Sequence, residues 1–358
     1  MTVLIFLIVL SLLVLVHEYG HYITAKRAGA KVEEFGFGFP PKIFSFTRNG
    51  TLFSINLIPF GGFVKIFGEN GESRGEAGSF TALKISRRAK IISAGVFMNV
   101  VLAFFLLSLG NLIGRPVIIT PENEALAQNI QIQIMNVAEN SPALAAGLKT
   151  GDVIKKASFD GSEKSFGSVA EFKSFVEAAA GREIVLNIAR GRESLNLNLT
   201  PRINPPPEEG ALGVALARTG LIKSPGYLFL WQGLKDTVSM IGIIGAALFL
   251  FFKTLVLEGR VMGEVAGPIG IASLTGEAYQ LGLSYLINLV AILSVNLAIL
   301  NILPFPALDG GRLVFLAAEK IKGSPLSHKL ENSVNIAGFI LLLALMFFVT
   351  WKDIAKFF

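Results

Sequence analysis

The sequence predicts a polytopic α-helical membrane protein of about four transmembrane helices, with membrane-associated β hairpins and one inserted extracytoplasmic α+β domain. Three observations lead there. Of 358 residues, 52% are hydrophobic and only 16% charged, a balance too apolar for an ordinary soluble protein. Four apolar runs approach or reach the length that crosses a bilayer: Val3 to Ala25, Ile91 to Ile113, Tyr285 to Leu303 and Val334 to Val349. Between the second and third runs, residues 115–223 carry twelve basic and twelve acidic residues and read as a water-exposed domain. The 29 phenylalanines suit lipid-facing helices, and the absence of cysteine excludes disulfides and any thiolate metal site. The net charge of +6 is concentrated beside apolar runs, so it reads as membrane topology rather than as a nucleic-acid surface.

Taken in order, residues 1–25 form the first span. Its apolar stretch from Val3 to Val16 is interrupted only by Ser11, and it has neither a basic leader region nor a small-residue cleavage site. Residues 26–90 hold eleven Lys and Arg against five Glu, which places them on the cytoplasmic side with the N-terminus outside. Alternation and glycine in Val32 to Phe39, Thr51 to Leu57 and Phe60 to Ile66 predict short hairpins that can dip into the membrane. Residues 91–113 return the chain to the outside.

In residues 115–223, a strand is expected at Ile130–Val137 and a helix at about Val169 to Ala180. A hairpin, Ile184–Arg190 with Leu195–Leu199, turns at Gly191, and the run Pro205-Pro206-Pro207 follows it. Residues 224–282 are expected to be a helical segment at the membrane interface. Ile241 to Phe252 is strongly apolar, but Lys235, Asp236, Lys253 and Glu258 bracket it. A single crossing there would also put the basic loop at 312–333 on the wrong side. Residues 283–311 form the third span with its trailing motif, 312–333 a cytoplasmic loop, and 334–353 the fourth span.

Two features carry chemistry. His17-Glu18-Tyr19-Gly20-His21 lies inside the first span, roughly 20–25 Å along a helix rising 1.5 Å per residue. Positions four apart share a helix face, so His17 and His21 can address one metal ion, with Glu18 beside them as general base. Charged and imidazole side chains are costly inside a bilayer, which makes a functional reading the default. The second feature is Asp309, after a span broken by Pro304 and Pro306. Charge parity brings it to the membrane side that holds His17 and His21. Read alone, it serves equally as a helix cap or turn residue. Together with the two histidines it completes a two-histidine, one-carboxylate hydrolytic metal set.

The combination resembles the site-2 protease family of intramembrane zinc metalloproteases, in the organisation of the bacterial regulator-of-sigma-E proteases. The motifs that carry the resemblance are the HExxH of the first span and Asn301-Ile302-Leu303-Pro304-Phe305-Pro306-Ala307-Leu308-Asp309-Gly310-Gly311 after the third. Between them, Ser141-Pro142-Ala143 through Ala146-Gly147-Leu148 to Gly151-Asp152-Val153-Ile154 is similar to PDZ domains of bacterial proteases. Here Leu212-Gly213-Val214 stands at the end of that domain, so the domain reads as circularly permuted. The resemblance implies that zinc is bound by His17, His21 and Asp309 and that Glu18 activates water.

It further implies that Gly61, Gly62 and Phe63 belong to a substrate-guiding β element. Asn296 and Asn301 would face the substrate, and Leu212, Gly213 and Val214 would hold a peptide C-terminus. The implied partners are single-span membrane proteins, anti-sigma-factor-like or signal-peptide-like and already shortened by another protease, together with membrane lipid. The implied location is the bacterial cytoplasmic (inner) membrane, with the active site near its cytoplasmic side. The chain departs from the family in having one PDZ-like domain where some members have two. It also has Val96 where a Pro after Gly95 is frequent. Asn99, in that second span, reads as a helix–helix hydrogen-bonding residue. A non-catalytic scaffold and a proton or metal transporter are the competing classes. No internal repeat supports the transporter, and a packing role leaves the Glu between two ligand-spaced histidines unexplained.

Overall fold

The computed structural model of the chain describes residues 1–71, 73, 75–191, 193–206, 209–259 and 266–355. Pro207 of the expected proline run lies outside them. The chain forms two compact units: one comprises Met1–Leu107, Gly233–Gly276 and the residues from Leu289 onward, the other Ser108–Gln232 and Glu277–Asn288.

The first unit opens with α1 (Thr2–Ala28), which runs unbroken through the HExxH motif and ends at Gly29 in the left-handed conformation, behind Lys26 and Arg27. Strands β1 (Val32–Arg48) and β2 (Thr51–Ile66) follow. They are longer than the short hairpins expected, and each bends back on the sheet. Residues 34–37 of β1 pair on one side with 52–55 of β2 and on the other with 62–65, as in Phe35 with Phe53 and Val64. The later part of β1 pairs with 51–56, so residues 62–66 form an outer edge of this small sheet. Helix α2 (Ile85–Ile113) starts earlier than expected and takes in Arg87, Arg88 and Lys90. Arg88, buried, donates to both carboxylate oxygens of Glu319 at 2.9 Å.

The second unit holds β3 (Arg115–Ile118), β4 (Ala127–Val137), α3 (Pro142–Ala145), β5 (Val153–Phe159), β6 (Ser162–Lys164), α4 (Val169–Ala178), β7 (Ile184–Arg190), β8 (Glu193–Leu199) and β9 (Val214–Ile222). The sheet order is β3-β9-β4-β5-β7-β8, with β6 added to β5. Alternating Ile184, Leu186 and Ile188 bury one face of β7 against Phe172 and Val176 of α4. The loop motifs are structural. The Ser141 hydroxyl caps α3 by accepting from the Leu144 amide. Asp152, 1% exposed, accepts from the Lys149 amide and takes Arg190 in two-pronged fashion at 2.8 and 2.7 Å.

Replacing Asp152 with Ala leaves that guanidinium and the Lys149 turn without their acceptor. The expected cost is about 3 kcal/mol, at the lower end for a broken buried pair because Arg190 is partly hydrated. It is measured as a lowered thermal unfolding midpoint. Equal midpoints for variant and wild type would show that the clamp is energetically idle.

The chain then continues through α5 (Leu228–Glu258), α6 (Pro268–Leu281), α7 (Leu283–Ile302), α8 (Asp309–Lys322) and α9 (His328–Ala355). Among the described residues, five helices are long and apolar enough to cross a membrane: α1, α2, α5, α7 and α9. That is one more than the four expected. The addition is α5, where the sequence suggested a helical segment at the membrane interface. Its bracketing charges do not interrupt the i to i−4 ladder, and long Lys and Glu side chains can extend away from an apolar helix body.

Candidate metal centre

The first unit builds the site from three helices. α1 presents His17 and His21 on one face, both buried. α7 stops at Ile302, immediately before Pro304 and Pro306, as prolines require. The loop after it turns through Ala307 at φ 69°, a left-handed conformation, and the Ala307 amide donates to Asn335 Oδ1 of α9 at 3.1 Å. Asp309 then opens α8. The following glycines permit a close approach: a Cβ on Gly310 would lie 2.1 Å from the Leu303 carbonyl oxygen, and one on Gly311 2.3 Å from that of Phe305. The first turn of α8 is thus pressed against the broken end of α7.

Asp309 Oδ2 lies 3.2 Å from His17 Nε2 and 3.3 Å from His21 Nε2, and the two nitrogens are 3.2 Å apart. A tetrahedral metal with bonds of about 2.0–2.1 Å has donor–donor edges of about 3.3 Å. The three donor atoms therefore form one face of a tetrahedron of the right size for zinc. The imidazoles are oriented from behind by α2. His21 Nδ1 is 2.9 Å from the Ile91 carbonyl oxygen, and His17 Nδ1 is 3.3 Å from the Asn99 side-chain amide. Between those two residues, Gly95 gives the histidines room. A Cβ there would sit 2.4 Å from His21 Nε2 and 2.7 Å from His17 Cε1. Gly20 makes the reciprocal approach from α1, where a Cβ would meet the Ala94 carbonyl oxygen at 2.3 Å.

A cavity of about 510 Å³ opens on this cluster. Glu18, His17, His21 and Asp309 line it together with Phe63, Val64 and Ile66 of β2 and Asn301 of α7. Gly62 lies alongside: a Cβ on it would stand 3.7 Å from Glu18 Cγ. Gly61, at φ 90°, faces Phe39 and Val14. Asn296 is not among the lining residues; its amide donates to the Ile292 carbonyl one turn back in α7.

Leu212, Gly213 and Val214 lead into β9 in the other unit. Leu212 is buried in the sheet core, and the Gly213 amide already donates to the Gly210 carbonyl. Residues that the sequence reading passed over also line the cavity: Asn335, Glu69, and Arg312, which pairs with Glu69 at 2.5 Å. Asn335 had the same signal as Asn99, an amide in an apolar span. Gly95 had none beyond being small.

The chain is similar to known proteins along nearly its whole length. The profile described as peptidase family M50 matches residues 5–345. A Clostridium perfringens protein named as a zinc metalloprotease is 35% identical over 349 residues, covering 97% of each chain. The regulator of sigma-W protease RasP of Bacillus subtilis is 29% identical over 441 residues, covering 100% of this chain and 99% of its own. Among solved structures, the PDZ domain of an SdrC-like protein from Listeria monocytogenes matches at 24% identity and a TM-score of 0.20, over 24% of this chain and 86% of that one. With its family match running nearly end to end, the chain belongs to peptidase family M50, the site-2 proteases, and is a multi-pass membrane zinc metalloendopeptidase.

Proposed function

We propose that His17, His21 and Asp309 hold the zinc and that Glu18 is the general base. On this reading the enzyme cleaves a peptide bond within or next to the transmembrane segment of a single-span membrane protein. The observation that carries it is the triangle of donor atoms at 3.2, 3.2 and 3.3 Å, contributed by two helices far apart in sequence. Zinc held there supplies Lewis acidity, polarising a carbonyl oxygen and making water acidic enough to lose a proton near neutral pH. Glu18, lining the same cavity, takes that proton from the attacking water and delivers it to the nitrogen of the leaving amine. A helical substrate must first unwind, and its freed backbone groups need partners in an environment without water. The outer edge at residues 62–66 can supply them by strand addition, with Gly62 beside the Glu18 stem and Phe63 lining the same cavity. Asn301, which lines the same cavity, offers a further polar contact.

We infer an anti-sigma-factor-like or signal-peptide-like substrate; the first is supported by the name of the Bacillus subtilis relative, regulator of sigma-W protease. We place the enzyme in the bacterial cytoplasmic membrane with its N-terminus outside. A Cβ on Gly276 of α6 would stand 2.5 Å from Thr2, so the chain enters α7 at the end where α1 begins. α2 runs antiparallel to α1 and leaves toward that same end, since Ala94 faces Gly20 and Ile91 faces His21. The stretch between α2 and α6 therefore begins and finishes on one side. This favours an α5 that makes no net crossing, and a count of four spans.

Residues 115–223 are then an extracytoplasmic, circularly permuted PDZ-like domain. Because the Gly213 amide is engaged internally, a filter against substrates with bulky outer domains suits it better than capture of peptide C-termini.

The test is zinc content and cleavage in purified protein, comparing wild type with Asp309→Asn on a single-span reporter lacking its outer domain. Wild type should carry one zinc per chain and cut the reporter, whereas Asp309→Asn should lose most of both. Full zinc in that variant would remove Asp309 from the ligand set.

A further inference from the structure

The side chain of Asn99 is fully buried, yet the contact that α2 makes with α7 at this position does not use it: Ser294 donates to the Asn99 backbone carbonyl at 2.8 Å. The amide instead meets His17 Nδ1 at 3.3 Å. Its partner ring nitrogen, Nε2, is the one aimed at His21 and Asp309. An imidazole that offers the lone pair of Nε2 to a metal carries its proton on Nδ1, and a buried N–H requires an acceptor. His21 has one that cannot be anything else, the Ile91 carbonyl at 2.9 Å.

Two helical turns further along α2, Asn99 stands in the corresponding place behind His17, and Gly95 occupies the turn between. Half a rotation of its amide exchanges oxygen and nitrogen with almost no change of shape. With Nδ2 facing the ring, Oδ1 has no hydrogen-bond partner among the described residues. The exchanged orientation puts Oδ1 on the Nδ1–H.

We propose that Asn99 is a positioning residue for the metal centre: its Oδ1 accepts from His17 Nδ1–H, selects the tautomer that presents Nε2, and thereby sets zinc affinity. The inference rests on the zinc-site reading above. α2, which contributes no ligand, thus orients both histidine ligands, one through a main-chain carbonyl and one through a side chain.

The experiment measures zinc affinity of the full-length purified protein by competition with a chromophoric chelator. The visible spectrum of the cobalt-substituted protein is read alongside. Asn99→Leu keeps the branched outline, with larger terminal groups, and removes the acceptor; Asn99→Asp keeps the acceptor and removes the donor. Ser294→Ala tests the helix contact separately. Loss of an outer hydrogen bond to a ligating histidine weakens metal binding by about 10–100-fold. That loss is expected for Asn99→Leu, with an altered cobalt spectrum. Asn99→Asp should stay within about threefold of wild type or bind more tightly, because a carboxylate behind the ring raises its basicity.

Wild-type affinity in Asn99→Leu would overturn the proposal. So would a tenfold loss in Asn99→Asp, which would assign the contact to the amide donor or to packing, and this arm decides the matter even where Asn99→Leu does not fold. Failure of the zinc reading is separately visible: wild type itself would then bind no stoichiometric zinc.

Discussion

Replacing Glu18 with Gln is expected to reduce cleavage by about 10²- to 10⁴-fold, the range over which a positioned general base acts, while zinc content stays at the wild-type level. Gln is nearly isosteric with Glu and cannot take a proton, so the substitution isolates proton transfer from packing. Glu18 is suited to that role by where α1 leaves it. It lines the cavity with His17, His21 and Asp309 yet contributes no atom to the donor triangle. Its stem runs beside Gly62 of the β2 edge, where an unwound substrate would lie. The measurement is a pair, metal content by elemental analysis and turnover of a single-span reporter by the same preparation. Zinc-loaded Glu18→Gln protein with more than about a tenth of wild-type turnover would take the base assignment away from Glu18.

The second large effect belongs to a residue without a functional group. Gly95→Ala introduces a methyl whose carbon would lie 2.4 Å from His21 Nε2 and 2.8 Å from His17 Nε2. No rotamer change of the methyl relieves this, and α2 cannot retreat without carrying Ile91 and Asn99 away from the rings they orient. A displacement of about 1 Å at a catalytic centre costs on the order of 100-fold in rate. Here zinc affinity is expected to fall as well. Gly20→Ala, in which the added carbon meets the Ala94 carbonyl and Met98, should separate the same two helices from the other side. Parallel loss of zinc in both variants identifies helix approach as the cause. A Gly95→Ala protein with wild-type zinc affinity and turnover would show that the helices relax at no cost.

What could be read in the sequence follows the distance over which each signal acts. The HExxH spacing is a property of one helix turn, so His17, Glu18 and His21 were legible at once. Asp309 was legible because prolines announce a broken span, and a carboxylate at that depth needs a reason to be there. Gly95 and Asn335 were not, since their roles are defined only by which foreign helix comes to face them. The same limit explains the small sheet. Alternation in Val32 to Phe39 marks strands, but nothing local says that Phe35 will pair with both Phe53 and Val64. In α5, the charges that bracket its apolar stretch suggested a helical segment at the membrane interface, and the helix runs unbroken through Leu228–Glu258.

The donor triangle draws its atoms from the first and the last quarter of the chain. With Asp309 as third ligand, a nascent polypeptide would expose both histidines to the bilayer long before the carboxylate leaves the ribosome. Two imidazoles without that carboxylate, and without α9 to hold the Ala307 turn through Asn335, do not make a hydrolytic centre. A protease working among the membrane-spanning segments of other proteins would therefore remain inert throughout its own synthesis and insertion, and its competence would coincide with the completion of its C-terminal helices.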